Sequence, residues 1–206
     1  MRIQIVDYKA GNLRSVQRAC QFVGVDAELQ RDPERVARAE RIIFPGVGTA
    51  DSGMETLRAS GLGAALTEAF HRGAPILGIC LGAQIILEHS EEGDQQCLGL
   101  IPGQCVRFRP TDPTYKVPHI GWNAVCKTQD HPLLDDFADG IEYYYVNSYY
   151  PQPACEEYVF GRTEYGLSFC AMLGNNNLFA TQFHLEKSGR YGLALLERFT
   201  RWDGEI

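Results

Sequence analysis

Paired cysteine motifs are missing from this chain. Seven cysteines fall at irregular spacings among 206 residues, and no CxxC occurs. That argues against a thiolate zinc site or a thioredoxin-type centre. A reduced, cytoplasmic setting is the simplest expectation, with Cys20, Cys97, Cys105, Cys126, Cys155 and Cys170 read as small buried hydrophobes. No basic run occurs either, and the formal net charge is −7, so nucleic acid is not an expected ligand. No apolar run approaches the roughly 20 residues of a membrane span. The chain opens on Met1-Arg2-Ile3-Gln4-Ile5-Val6, read as a short strand rather than a signal peptide. Repeats, linkers and low-complexity tracts are also lacking, so residues 1–206 are read as one domain.

What is present alternates. Arg2–Val6, Ala27–Gln30, Arg41–Phe44 and Ala74–Ile79 read as strands. Asn12–Val23, Gly53–Phe70 and Leu81–His89 read as helices by their apolar spacing, with Gly24 ending the first. Strands alternating with helices imply βαβ units and a parallel sheet. The second half predicts more strands: Cys105–Arg109, Asn123–Lys127, Tyr143–Tyr149, Tyr158–Thr163, Phe169–Met172 and Phe179–Phe183. Their short Gly-, Pro- and Asn-rich connections suggest mixed or antiparallel additions. Gly189–Arg201 is a final amphipathic helix. Tyr143-Tyr144-Tyr145 reads as strand rather than as a base-stacking platform, since no basic residues interleave with it.

One cysteine has a different neighbourhood. In Ile76-Leu77-Gly78-Ile79-Cys80-Leu81-Gly82-Ala83-Gln84 an apolar strand runs into Cys80, a helix follows, and glycines stand two residues either side. This is a nucleophile elbow with cysteine in place of serine. Such a turn lifts the sulfur out at the carboxyl edge of the sheet, where ligands bind in α/β folds. A cysteine nucleophile needs a base and an orienting group. Of five histidines, His71 and His89 lie near predicted helix ends and His131 in a polar loop read as exposed, leaving His119 and His184. His184 ends the strand Phe179–Phe183, and Glu186 follows two residues later. It is favoured because Glu186 can fix its tautomer. Pro45-Gly46-Val47-Gly48 also ends a strand. Its glycine peptides can turn N–H groups toward a ligand, making them, with the N–H of Leu81, candidates for an oxyanion hole.

Together these segments resemble the class I (triad) glutamine amidotransferases, over nearly the whole chain and in order. Further family-like segments are Gly11-Asn12-Leu13, Pro118-His119-Ile120-Gly121-Trp122-Asn123, Val146-Asn147-Ser148-Tyr149 and Thr181-Gln182-Phe183-His184-Leu185-Glu186-Lys187-Ser188. Within the class, the PHIGWN segment and the chain length look like the glutaminase subunits of imidazole glycerol phosphate synthase. The resemblance implies an α/β three-layer sandwich: a central, mostly parallel sheet, helices on both faces and additional antiparallel strands. It implies a Cys80–His184–Glu186 triad that hydrolyses glutamine to glutamate and ammonia. It implies glutamine contacts at Gly46, Val47, Gly48, Leu81, Gly82, Gln84, Asn147, Ser148 and Tyr149. The implied partner is a (β/α)8 barrel cyclase, met by Asn12, Arg14 and Lys187. No metal or organic cofactor is implied.

Three residues depart from the family pattern. Leu185 stands where proline is usual, Ala83 where methionine is, and Asn147 where histidine is. They keep two other readings open: a glutaminase feeding a different synthetase, such as a sugar amidotransferase of surface polysaccharide, and a noncatalytic regulatory protein on the same fold. An intact Cys80, His184 and Glu186 speak against the second.

Overall fold

The computed structural model describes residues 2–206. The first half follows β1 (Ile3–Val6), α1 (Leu13–Phe22), β2 (Ala27–Gln30), α2 (Pro33–Ala37), β3 (Arg41–Gly46), α3 (Ala50–Ser60), α4 (Leu62–His71), β4 (Ile76–Cys80) and α5 (Leu81–Ile85). Then come β5 (His89–Ser90), β6 (Gln95–Gln96), β7 (Gly103–Arg107), β8 (His119–Lys127) and β9 (Ile141–Asn147). The chain closes with β10 (Tyr149–Pro153), β11 (Val159–Glu164), β12 (Ser168–Asn175), β13 (Leu178–Thr181) and α6 (Gly189–Arg201).

Nine strands form one sheet in the order β2-β1-β3-β4-β13-β12-β11-β8-β9. From β2 to β13 every pairing is parallel, and from β13 to β9 every pairing is antiparallel. β13 therefore brings the end of the chain alongside β4, directly beside the elbow. A smaller sheet, β10-β7-β5-β6, packs on the large one, with Tyr150 of β10 against Phe169 of β12. The parallel strands are buried on both faces, because helices cover each side. Ile42 and Phe44 on β3 join Leu57, Leu66 and Ile85 in one core layer, while Ile43 between them joins Val16, Leu196 and Phe199 in the other. The period of two along the strand thus feeds two cores. Among the described residues no helix is long and apolar enough to cross a membrane, and none form a cluster suited to a metal.

Several boundaries differ from the sequence expectation. The helix expected over Gly53–Phe70 is two, broken where Gly61 takes φ 74 and ends α3. A left-handed residue there stops the hydrogen-bond ladder. The helix expected to reach His89 stops at Ile85, and His89 pairs in β5. α2 escapes the apolar pattern because only Val36 and Ala37 are buried; its signal is Asp32 capping Glu34 N–H with Pro33 at the first position. The strand expected over Tyr143–Tyr149 is two, divided at Ser148. Tyr143 and Tyr145 are buried and Tyr144 is half-exposed, as a strand requires. Not every other cysteine is buried: Cys97 is half-buried, and Cys126 and Cys155 are exposed. Nor is His131 exposed. Its Nδ1 accepts from Leu133 N–H, its ring packs on Phe160, Phe179 and Trp202, and burial lowers its pKa to about 4.

Candidate active site

Cys80 ends β4 with φ 56 and ψ −106, a left-handed-side conformation that a non-glycine residue holds only when its surroundings enforce it. The two glycines of the elbow show how. A Cβ on Gly78 would come within 2.9 Å of the Ala180 Cβ on β13, and one on Gly82 would collide with the Phe44 carbonyl oxygen on β3. Neighbouring strands thus press on both sides of the turn and leave room for hydrogen only. Gly46 pairs with Cys80 in the β3–β4 register. It must also be glycine, because the Tyr8 hydroxyl and the Leu81 Cβ occupy the space of its side chain. On the other side, Thr181 pairs with Ile79, so Gln182 flanks the sulfur and His184 follows just beyond the strand.

His184 and Glu186 form a buried pair. His184 Nδ1 lies 2.8 Å from Glu186 Oε1, with side-chain exposures of 1% and 0%. His184 N–H donates to the Tyr144 carbonyl at 2.9 Å, and its carbonyl accepts from the Ser188 hydroxyl at 2.6 Å. The main chain is therefore clamped on both sides of the ring. His184 Nε2 is buried with no hydrogen-bond partner among the described residues. Burial by itself would lower the His184 pKa, but the charges of Cys80 and Glu186 outweigh it and hold the imidazole protonated up to about 10. Leu185 is fully buried and opens a short 3-10 turn behind an extended His184 at φ −85 and ψ 94. That backbone suits a proline as well as it suits leucine.

A cavity of about 280 Å³ lies over the sulfur, near the lower end for small-ligand sites. Of the residues named from the sequence, Val47, Gly48, Cys80, Leu81, Gln84, Asn147, Ser148, Tyr149 and His184 line it. Gly46 and Gly82 do not; they lie beneath it as packing glycines. Glu186 stands behind His184, outside the lining. Arg14 and Lys187 are exposed, and Lys187 Nζ lies 5.7 Å above the Tyr144 ring. Asn12 differs from them: its side-chain amide donates to Glu186 Oε1. His119, the other candidate base, is stacked between Tyr145 and Tyr165, and burial lowers its pKa to about 4. It is a neutral core ring.

Two further side chains at the site have no local signal in the sequence. Glu92 lines the cavity, and its Oε2 accepts from Ala50 N–H at the start of α3. It is the one carboxylate lining the cavity, and burial raises its pKa. Gln182, fully buried, belongs to a chain of amides. The Tyr149 carbonyl can only accept, so Gln84 turns its Nε2 there at 3.0 Å and also toward Gln182 Oε1 at 2.9 Å. Gln182 must then aim its own Nε2 at Cys80 Sγ, 3.8 Å away. A carbonyl remote from the sulfur thus dictates that a donor faces it. Neither residue carries a local signal, since each depends on a partner about a hundred residues away or on a loop fold.

The class I glutamine amidotransferase family model matches residues 4–201. The imidazole glycerol phosphate synthase subunit HisH of Chromobacterium violaceum is 43% identical over 213 residues, covering 100% of both chains. That of Desulfovibrio desulfuricans is 46% identical over 202 residues, covering 96% of this chain and 93% of its own. Among solved structures, a crystal structure of a glutamine amidotransferase superposes with a TM-score of 0.76 at 16% identity, covering 98% of each chain. PurLQS from Thermotoga maritima superposes with a TM-score of 0.74 at 19% identity, covering 97% of each; both share the fold. With an elbow cysteine, a buried His–Glu pair and a cavity above them in one continuous family match, this chain belongs to the class I glutamine amidotransferases.

Proposed function

We propose that the chain, acting over 1–206 as one domain, is the glutaminase subunit of an imidazole glycerol phosphate synthase in histidine biosynthesis. One observation carries the chemistry: Cys80 sits in a strained elbow with the Gly46 strand on one flank and the His184–Glu186 pair near the other. Relatives matching from end to end and bearing the HisH name favour this acceptor over a polysaccharide synthetase, despite Leu185, Ala83 and Asn147. They equally disfavour a noncatalytic regulator.

The reaction follows from the residues. Glutamine enters with its side-chain amide over Cys80 and its α-ammonium toward Glu92. The sulfur attacks the amide carbon, and the carbonyl π pair moves onto oxygen, stabilised by backbone N–H groups of Val47 and Leu81. The protonated His184 gives its Nε2 proton to the amide nitrogen, the C–N bond breaks, and ammonia leaves a thioester. Neutral His184 then takes a proton from water as the water attacks the thioester. Cys80 departs as thiolate and glutamate is released. Glu186 holds the ring through Nδ1 throughout.

The ammonia goes to a partner, which we identify as the (β/α)8 barrel cyclase. A docking face adjoins the cavity. Ile120 and Trp122 are 61% and 53% exposed on β8, where Trp122 pairs with Tyr144 and Ile120 with Val146 on β9. Tyr144 carries Lys187, and Val146 lines the cavity. An exposed apolar stripe ending at a reactive cavity suits a partner that closes over it. The reduced thiols fit a cytoplasmic enzyme.

The experiment is labelling by an electrophilic glutamine analogue, followed by glutaminase assays with the cyclase. Cys80 takes the label, the six other cysteines do not, and Cys80→Ala is inactive. Label on another cysteine, or activity in Cys80→Ala, refutes the assignment.

A further inference from the structure

Glu186 presents a physical problem that His184 alone does not solve. Its side chain is 0% exposed, and one of its oxygens, Oε2, is buried with no hydrogen-bond partner among the described residues. An ionised carboxylate withdrawn from water needs donors. Oε1 has two: His184 Nδ1, and the side-chain amide of Asn12, 174 residues earlier in the chain. Nothing else donates to this carboxylate among the described residues.

Asn12 is itself unusual. It is the N-cap of α1, with φ 61 and ψ 6, yet its side chain makes no capping hydrogen bond. An N-cap asparagine ordinarily turns its oxygen back onto the helix and holds an extended backbone. Here it keeps a left-handed backbone and sends its amide nitrogen to the triad's acid instead. The orientation of the amide is fixed, because the opposite one would set its oxygen against a carboxylate. Asn12 also lies outside the residues lining the cavity, so it meets neither glutamine nor the sulfur.

We infer that Asn12 is a positioning residue of the active site. It holds Glu186 in line with His184 Nδ1, and acts on the reaction only through that pair. The inference rests on the triad reading above. It gives Asn12 a role within the free chain, separate from contact with a partner. A second donor on Oε1 fixes where that oxygen stands, and so keeps the charge-assisted hydrogen bond to His184 Nδ1 in line. It also ties the start of α1 to the short turn that carries the catalytic histidine and glutamate.

The left-handed backbone supplies a clean test. Asn12→Gly suits φ 61 without strain and removes only the donor. Asn12→Asp keeps the shape and replaces the donor with a second carboxyl group. In the purified chain, alkylation of Cys80 by 6-diazo-5-oxonorleucine is followed across pH, separating maximal rate from half-saturating concentration. Asn12→Gly is expected to lower the maximal rate about tenfold and leave half-saturation unchanged. Asn12→Asp is expected to lower it further and move the acidic limb to higher pH, since a like charge raises carboxyl pKa values. The low-field proton resonance of His184 Nδ1 should shift in both. Wild-type rates, pH profile and resonance in Asn12→Gly overturn the inference: Asn12 is then only a helix terminus or a partner contact. Should Asn12→Asp fail to fold, Asn12→Gly decides alone. His184→Ala run in parallel isolates the underlying reading. If it alkylates at the wild-type rate there is no triad, and the role of Asn12 falls with it; if it is slow while Asn12→Gly is normal, only the role of Asn12 falls.

Discussion

At the scale of single residues, the chemistry rests on charges kept from water. His184 has its pKa raised to about 10, well above the ordinary 6.5 of a free imidazole. The sign follows from the linkage rule: a group whose folded pKa lies above its unfolded one adds stability below the unfolded value and loses it as pH climbs through the folded one. Stability from this group is therefore present at pH 6 and lost progressively between about 6.5 and about 10. Burial lowers this pKa and the Cys80 sulfur is the strongest influence raising it, so Cys80→Ala should lower the titration midpoint of the His184 ring and flatten this alkaline loss. Ring-nitrogen NMR and thermal melts across that range test it, and an unchanged midpoint would contradict the pairing. Gln182 gives a second expectation. In Gln182→Glu the carboxylate can still accept from Gln84, but a negative oxygen then faces Cys80 in place of the Nε2 now 3.8 Å from the sulfur. Alkylation of Cys80 should slow about tenfold or more, while Gln182→Met should slow it less. Equal rates in all three proteins would show that the amide is a spacer.

At the scale of elements, the β4–α5 elbow depends on β3 and β13 pressing from either side. Gly82→Ala drives a Cβ into the Phe44 carbonyl, a backbone atom that cannot rotate away. The cost is expected at or above the upper end of the about 1–3 kcal/mol typical of overpacking, a fall in Tm of roughly 6–12 °C for a chain of this size. Gly73→Ala is the control. It has φ 85 but no atom within 4 Å of the added Cβ, so it carries only the left-handed penalty of about 1 kcal/mol. Similar melting temperatures for the two variants would mean that the elbow yields to a methyl group. The same elements explain why sequence patterning saw so much of the centre. Apolar strands ending in Gly46 and Cys80 announce themselves locally. The break at Gly61 and the short α2 do not, because each turns on one capping or left-handed residue rather than on periodicity; the early stop at Ile85 has no local marker, since Ile86 keeps right-handed helical angles.

At the scale of the whole molecule, the cavity and the exposed stripe share the β8–β9 face. Lys187 stands between them, over Tyr144, whose ring centroid lies 6.5 Å from that of His184. Lys187→Glu should weaken partner binding by about tenfold or less, as removal of a rim charge does, and should lower coupled ammonia transfer. The melting temperature should hold, since the residue is exposed. Titration calorimetry with the proposed cyclase partner and a paired glutaminase assay measure this, and unchanged binding and coupling would leave Lys187 a solvated surface lysine.

The amino-acid pattern alone specified the elbow and the parallel half of the sheet, and it singled out Cys80, His184 and Glu186 as the candidate triad. Those signals are local: a strand, two glycines, a cysteine, and a histidine two residues from an acid. Tertiary structure alone decided the rest. Asn12 looked like a surface contact until folding brought it to Glu186. Gln182 was one more apolar-strand residue until the Tyr149 carbonyl fixed which end of its amide meets the sulfur. Glu92 drew no notice in the sequence, and only the turn between β5 and β6 carries it into the cavity wall. His131 looked exposed beside Pro132 until three aromatic rings enclosed it. The physical reason is common to all four. Periodicity and spacing report which face of an element a residue occupies, but hydrogen-bond direction and burial depend on groups that meet only once distant segments have packed together.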